Sequence, residues 1–254
     1  MTGWTALLLA GSRPGRDAFA AAHGTDLKAL IPLAGRPLVA HPAAALLGAR
    51  GIARVRVLAQ QPERIAAALA DDARLSFEAS GATIAATLEA ILTDPATRFP
   101  LLVTTADHAL LTPATIADFC AKAAGADLAI GVVERAALAA RLPGTRRTWI
   151  GFRGGAYSGA NLFAFGSARA AQAVALWRSV EQDRKKGRRL LGALGLPGLL
   201  GLARLRTIDQ TLDAIGRRLG ISIRKVELAD PLAAVDVDGP ADLALAETIL
   251  EGRA

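Results

Sequence analysis

The chain has 254 residues, 52% of them hydrophobic, 21% charged, and a formal net charge of +7. That length and apolar content suit one large α/β domain and exclude an intrinsically disordered chain. A single cysteine, Cys120, excludes an internal disulfide and fits a reducing, cytoplasmic setting. The basic balance suits an acidic partner such as a nucleotide, a nucleic acid or an anionic membrane. An arginine- and alanine-rich proteome gives the same balance. No secretory pattern opens the chain, and no apolar run reaches membrane-spanning length.

The first predicted strand, Trp4–Ala10, breaks into a basic glycine loop, Gly11-Ser12-Arg13-Pro14-Gly15-Arg16. Lys28 follows, and the turn Ala34-Gly35-Arg36-Pro37 opens a helix over Pro37–Ala49. Further strands are predicted at Arg54–Ala59, Leu75–Glu78, Leu101–Thr105, Leu128–Val133, Asn161–Phe165 and Ser222–Leu228. Helices are predicted at Pro62–Ala70, Ile84–Leu92, Pro113–Ala124, Ala168–Glu181, Ile208–Leu219 and Pro240–Leu250. Several open on proline, which suits the first helical position. The alternation predicts an α/β fold: a Rossmann-like, mostly parallel sheet with helices on both faces. Ligands in such sheets bind at the carboxyl ends of the strands, where Gly11 lies.

The alternation weakens between Gly144 and Leu205. Residues 1–254 therefore read as one domain with an insertion or lid at about 144–205. Cys120 and Trp177 fall on helices and read as core residues.

Four motifs carry chemistry. A glycine loop after a strand, with arginines, offers backbone donors and cations to phosphates. Its spacing matches neither a Walker A loop nor a dinucleotide G-x-G-x-x-G. The strand Leu101–Thr105 ends in Ala106-Asp107-His108, a carboxylate at the functional edge; the plain alternative is a turn cap. Late in the chain, Asp236-Val237-Asp238-Gly239-Pro240-Ala241-Asp242 carries two aspartates on one side of an extended segment. Asp242 there suits the first turn of a helix. Finally, Arg184-Lys185-Lys186 and Arg188-Arg189 precede an apolar stripe to Leu205. Residues 184–205 could touch an anionic membrane or form a buried helical hairpin.

The opening LLLAGSRPGR, then LKALIPLAGRPLVAH, resembles the MobA-like and sugar-phosphate nucleotidyltransferases. Ser12 replaces their usual second glycine, and the spacer before Lys28 is longer. The resemblance implies the nucleotide-diphospho-sugar transferase type of fold. It implies an enzyme that moves an NMP from an NTP, with CTP or GTP favoured, onto a phosphorylated small molecule or lipid-linked phosphate. Pyrophosphate is released. Lys28 and Arg16 would be catalytic. Leu9, Ala10, Gly11, Ser12, Arg13, Lys28, Ser80, Gly81, Thr83 and Ala106 would bind nucleotide. Asp107 and Asp238, with Asp236 as alternate, would hold Mg²⁺ or Mn²⁺. Arg146, Arg147, Tyr157, Ser158, Gly159 and Asn161 would face the acceptor. Each has a bland alternative: a helix cap at Thr83, solvated arginines at 146 and 147.

Three other readings stay open: a nucleotide-sugar-dependent glycosyltransferase, a non-catalytic nucleotide-binding regulator, and a nucleic-acid binder. Against the last, the basic residues are scattered and aromatics are only 4% of the chain, so stacking platforms are scarce. The expected partners are an NTP and a phosphorylated acceptor, not nucleic acid.

Overall fold

The first strand, β1 (Trp4–Leu9), is buried from Ala6 onward: Ala6 and Leu8 enter one core and Leu7 and Leu9 the other. A strand apolar on both faces belongs inside a helix-covered sheet. The computed structural model describes residues 3–12, 15, 17–145, 147–182 and 204–252, without the side chains of 179–182. After β1 come α1 (Ala18–Ala22), β2 (Pro32–Leu33), β3 (Arg36–Pro37), α2 (Ala40–Gly48) and β4 (Ile52–Ala59). Then follow α3 (Pro62–Ala66), β5 (Leu75–Ala79), α4 (Ile84–Thr93), β6 (Leu101–Thr105) and α5 (Pro113–Ala123). Next are β7 (Leu128–Glu134), α6 (Arg135–Arg141), β8 (Ile150–Phe152), β9 (Gly155–Phe165) and α7 (Ala171–Gln182). The described elements close with α8 (Ile208–Leu219), β10 (Ile223–Glu227) and α9 (Pro240–Leu250).

The main sheet runs β10-β7-β9-β6-β1-β4-β5, with β8 hydrogen-bonded to β9. The pairs β1–β4, β1–β6, β4–β5 and β7–β10 are parallel, and β9 is antiparallel to β6, β7 and β8. The sheet is thus mixed but mostly parallel, as the alternation predicts. Helices α2 and α5 cover one face; α4 and α7 cover the other.

Four sequence expectations change. The strand expected at Asn161–Phe165 begins already at Gly155 and pairs with β6 and β7 inside the sheet. Short helices at Ala18–Ala22 and Arg135–Arg141 stand where none is expected. They are too short for a readable apolar period, and their signals are the capping side chains of Asp17 and Glu134. The helix expected from Pro37 starts at Ala40 because Arg36–Pro37 pairs in the β2–β3 hairpin. Trp177 is 38% exposed; Ala170 and Val174 make the core contact instead. Cys120 is buried, and burial pushes its thiol pKa up to about 12, so it is inert.

The β2–β3 hairpin turns on Ala34 and Gly35, with φ of 46° and 74°. Two positive φ values make the tight hairpin turn that matches strand twist. Alanine is strained there, so Ala34→Gly should raise stability by about 0.5–1 kcal/mol, read as a higher urea midpoint.

Two links tie the strand ends into one rim. Ala106 N–H donates to the Leu9 carbonyl at 2.9 Å, and Ala10 N–H to the Leu58 carbonyl at 2.8 Å. The carboxyl ends of β1, β4 and β6 therefore open on a common edge.

Candidate active site

Lys28 starts a three-residue 3₁₀ turn, Lys28–Leu30. Its neighbours Leu27 and Ala29 are buried in the core, which holds the turn down. The following hairpin straps it: Val39 N–H donates to the Ala29 carbonyl at 2.9 Å, and Leu38 N–H to Ile31 at 2.8 Å. The Gly35-Arg36-Pro37 turn thus braces Lys28. Arg36 Nη2 itself donates to the Ala40 carbonyl at 3.3 Å.

The Lys28 ammonium bridges two carboxylates remote in sequence. Nζ donates to Asp107 Oδ2 at 2.8 Å and to Asp238 Oδ1 at 2.7 Å. Burial works to lower the Lys28 pKa, but the Asp107 and Asp238 carboxylates outweigh it and hold it above the ordinary lysine value. Lys28 is a fixed cation at the rim.

Asp107 sits two residues beyond β6. Thr105 Oγ1 donates to Asp107 Oδ1 at 2.5 Å, which orients the carboxylate. The Asp107 carbonyl accepts from Val237 N–H at 2.9 Å, so the two aspartate segments lie side by side. Val235 and Val237 are fully buried, which turns Asp236 and Asp238 to the other side of an extended chain.

Asp236 and Asp238 have different environments. Arg147 Nη1 donates to Asp236 Oδ1, and Asn161 Nδ2 to Asp236 Oδ2 at 3.2 Å. Arg147 Nη2 also reaches Asp242 Oδ1 at 3.0 Å, and Asp238 N–H donates to Asp242 Oδ2 at 3.2 Å. Burial, then the Asp238 charge, raises the Asp236 pKa; Arg147 opposes this. Both oxygens of Asp236 are bonded to Arg147 and Asn161, whereas Asp238 Oδ1 accepts from the Lys28 ammonium.

The β7–β9 ladder explains how Asn161 reaches this cluster. Pairing jumps from Ile130–Phe163 to Val132–Gly159, so Ala160, Asn161 and Leu162 oppose Gly131 alone. Asn161 takes φ 46° in this bulge, a conformation asparagine tolerates better than most residues. The bulge re-aims its side chain toward Asp236. Gly131 stands opposite, where a Cβ would lie a tight 3.1 Å from Leu162.

Four carboxylates and two cations therefore meet at one rim of a mostly parallel sheet. The MobA-like NTP transferase domain matches residues 6–197 of the chain. The chain belongs to the MobA-like NTP transferase family. It is accordingly a nucleotidyltransferase. A hypothetical transferase from Thermus thermophilus is 29% identical, with TM-score 0.79, covering 95% of this chain and 99% of that one. Two more distant structures share the fold. One is 4-diphosphocytidyl-2C-methyl-D-erythritol synthase from Anaerococcus prevotii, 10% identical, TM-score 0.59, covering 98% and 99% of the two chains. The other is a CMP:2-keto-3-deoxy-manno-octonic acid synthetase complexed with CTP, 14% identical, TM-score 0.60, covering 99% and 100%. No curated protein sequence matches the chain.

Within this MobA-like domain, the expected nucleotide loop lies at the ends of β1 and β4. Gly11 and Ser12 stand beside Gln60: Ser12 N–H donates to Gln60 Oε1 at 2.8 Å. Sequence reasoning missed Gln60, whose only signal is its place just past a predicted strand. Arg13, Arg16 and Arg146 lie outside the described residues. Ser80 N–H donates to the Ala59 carbonyl at 2.9 Å, and Gly81 N–H to Thr87 Oγ1 at 2.9 Å. Thr83 accepts from Ala86 N–H at 3.1 Å and is the N-cap of α4. Ser80, Gly81, Thr83 and Ala106 thus have internal bonds that shape the rim.

The expected acceptor residues divide. Arg147 and Asn161 join the aspartate cluster. Tyr157 stands further along the rim, paired with Glu134, its ring 4.9 Å from the Lys225 ammonium. Ser158 is buried next to it, and Gly159 follows on the same strand. Ser158 and Gly159 lie in β9, paired with Val133 and Val132 ahead of the bulge that carries Asn161.

His108, beside Asp107, is wholly buried, with Nδ1 3.1 Å from Thr104 Oγ1. Burial lowers its pKa from 6.5 to about 4. The unfolded chain then binds a proton that the folded chain refuses. His108 leaves stability untouched above pH 6.5, and stability falls as pH drops from 6.5 toward 4. Urea midpoints across that range should show this slope, and His108→Gln should flatten it.

Proposed function

We propose that the chain moves an NMP from an NTP onto a phosphorylated acceptor, with a divalent ion, Mg²⁺ or Mn²⁺, held by Asp107 and Asp238. The observation that carries this reading is the Lys28 ammonium seated between those two carboxylates. It is a stand-in cation on two hard oxygen donors, and such a pair suits Mg²⁺, which completes its shell with phosphates and water. Among the described residues no set of three or more His, Cys, Asp or Glu converges on one point, so a closed all-protein metal site is not offered. When bound, the ion supplies charge neutralisation on the reacting phosphates.

The protein's own groups do the remaining chemistry. The strand-end loop at Gly11 and Ser12 receives the phosphates. Lys28 neutralises charge that builds on the α-phosphate and the departing pyrophosphate. An acceptor phosphate oxygen forms the new bond to the α-phosphorus, and the α–β bridging P–O bond breaks. Asp236, Arg147, Asn161 and Asp242 hold the Asp238 segment in register with Asp107. CTP or GTP is the favoured donor; the CTP named with one structural neighbour supports the first. The acceptor faces the β9 side of the rim, near Tyr157, and is a small phosphorylated molecule or a lipid-linked phosphate. Such a reaction places the protein in the cytoplasm, where NTPs are. A contact with the inner membrane face through 184–205 belongs to this reading; apart from Arg204 and Leu205 that segment lies outside the described residues. No helix of the described residues is long and apolar enough to cross a membrane.

The four NTPs, each paired with a panel of phosphorylated sugars, polyols and lipid phosphates, test this by pyrophosphate release. One NTP and one acceptor class should release it in the presence of Mg²⁺. Sugar transfer from a nucleotide-sugar without pyrophosphate would replace the proposal with a glycosyltransferase.

A further inference from the structure

We infer that Lys28 occupies the seat of the divalent ion, so that the ion loads only together with a nucleotide that draws the ammonium away. This rests on the metal reading above and adds an order of binding to it. Nζ lies 2.8 Å from Asp107 Oδ2 and 2.7 Å from Asp238 Oδ1. Those are the two carboxylates that would hold the ion. A Mg²⁺ ion contacts carboxylate oxygens at about 2.0–2.1 Å. An ammonium and a divalent ion cannot share the same two oxygens without strong repulsion. Lys28 and Asp107 are 22% and 21% exposed, so solvent screens the repulsion little on the Asp107 side, whereas Asp238 is 65% exposed and stands at the open side of the seat.

The rest of the cluster keeps Lys28 in the seat. Arg147, the other cation there, is committed to Asp236 and Asp242 and does not compete. Asp236 is held by Arg147 and Asn161, so it offers no second seat beside the first. The Lys28 carbonyl accepts from Ile31 N–H at 3.1 Å, and its neighbour Ala29 is strapped by Val39 N–H, which leaves the four-carbon stem as the part that moves. A triphosphate brings several negative oxygens to the rim. The ammonium then exchanges carboxylate partners for phosphate partners, and both aspartates turn to the ion. In the exchange the carboxylates and the incoming phosphates each keep a cation beside them. It also stops a metal alone from filling the site.

The test is direct Mn²⁺ binding, read by electron paramagnetic resonance of free Mn²⁺. Wild type, Lys28→Met and Lys28→Gln are each titrated without nucleotide, and again with α,β-methylene-CTP. Circular dichroism establishes that both variants fold. Without nucleotide, both variants should bind Mn²⁺ at least about tenfold more tightly than wild type, as a seat closed in nine molecules of ten requires. Adding Asp238→Asn to Lys28→Met should erase that gain. Wild type binding Mn²⁺ alone as tightly as the variants overturns the inference and leaves the metal reading intact. A gain that survives Asp238→Asn overturns it too, because the ion then sits elsewhere. No Mn²⁺ binding by any protein, with or without α,β-methylene-CTP, overturns the metal reading and the inference together.

Discussion

Asp107→Asn should reduce Mg²⁺-dependent pyrophosphate release by on the order of 10³, with the fold retained. The substitution keeps the shape of the side chain and removes only its charge. The bonds that hold the segment survive it: the Asp107 carbonyl still accepts from Val237 N–H, and Ala106 N–H still reaches Leu9. What is lost is one of the two carboxylates around Lys28. An amide oxygen is a much weaker partner for a divalent ion than a carboxylate, and it leaves Lys28 bound only through Asp238. On the proposed reading the ion would lose one of its two carboxylates, and the ammonium one of its two partners. Rates at saturating NTP and acceptor, with thermal melts as a control for folding, give the result. A rate close to wild type would remove Asp107 from the chemistry and favour a non-catalytic nucleotide binder.

Arg147→Met should destabilise the protein by about 3 kcal/mol, a drop in melting temperature of roughly 6–12 °C for a domain of this size. The Arg147 side chain is 9% exposed and bonds to Asp236 and Asp242 together. Its removal leaves Asp236 half-solvated, beside Asp238 and Asp107, with Asn161 as its remaining neutral partner. An uncompensated charge in such a place costs more than the ion pair contributed. Two further readings separate this from lost packing. Arg147→Met with Asp236→Asn should recover much of the loss, because the double variant removes the stranded charge. The deficit should also shrink as pH falls, since the Asp236 pKa is raised and protonation relieves it. If Arg147→Met melts like wild type, Arg147 is a surface residue free to meet an acceptor, and the clamp on the Asp236–Asp242 segment is wrong.

Much of the fold is legible in the chain. The strands Leu101–Thr105 and Leu128–Glu134 are short, apolar and bounded by turn residues, as strands buried on two faces must be. Helices α8 and α9 carry their own boundary signals: the Thr207–Gln210 capping box and Gly220 at the ends of α8, and Pro240 at the start of α9. β9 was only half legible. Its N-terminal part holds glycines and small residues with no alternation, because a bulge at Asn161 breaks the period there. A broken period looks like a loop when read from sequence alone.

The site divides in the same way. Gly11, Lys28 and Asp107 are visible because each follows or faces a strand end with a local pattern. Arg147 is visible only as a charge, and its local surroundings suggest a solvated arginine. Whether an arginine binds substrate or clamps a loop depends on which carboxylates come near it, and those lie 89 and 95 positions away. The choice between Asp236 and Asp238 is of the same kind. Both share one side of an extended segment, and local geometry does not separate them. The partners do: Arg147 and Asn161 take one, and Lys28 takes the other.

By itself the sequence determines the layered α/β fold, the rim where ligands bind, and the basic loop and carboxylates that set the class of chemistry. These follow from apolar periodicity, turn residues and side-chain type, all of which act within a few residues of the chain. The tertiary structure alone decides that Lys28, Asp107 and Asp238 form one cluster, across separations of 79 and 210 residues. It decides too that Arg147 and Asn161 bind Asp236 while Lys28 bridges Asp107 and Asp238. Charge interactions act through space, and only the folded sheet sets those distances.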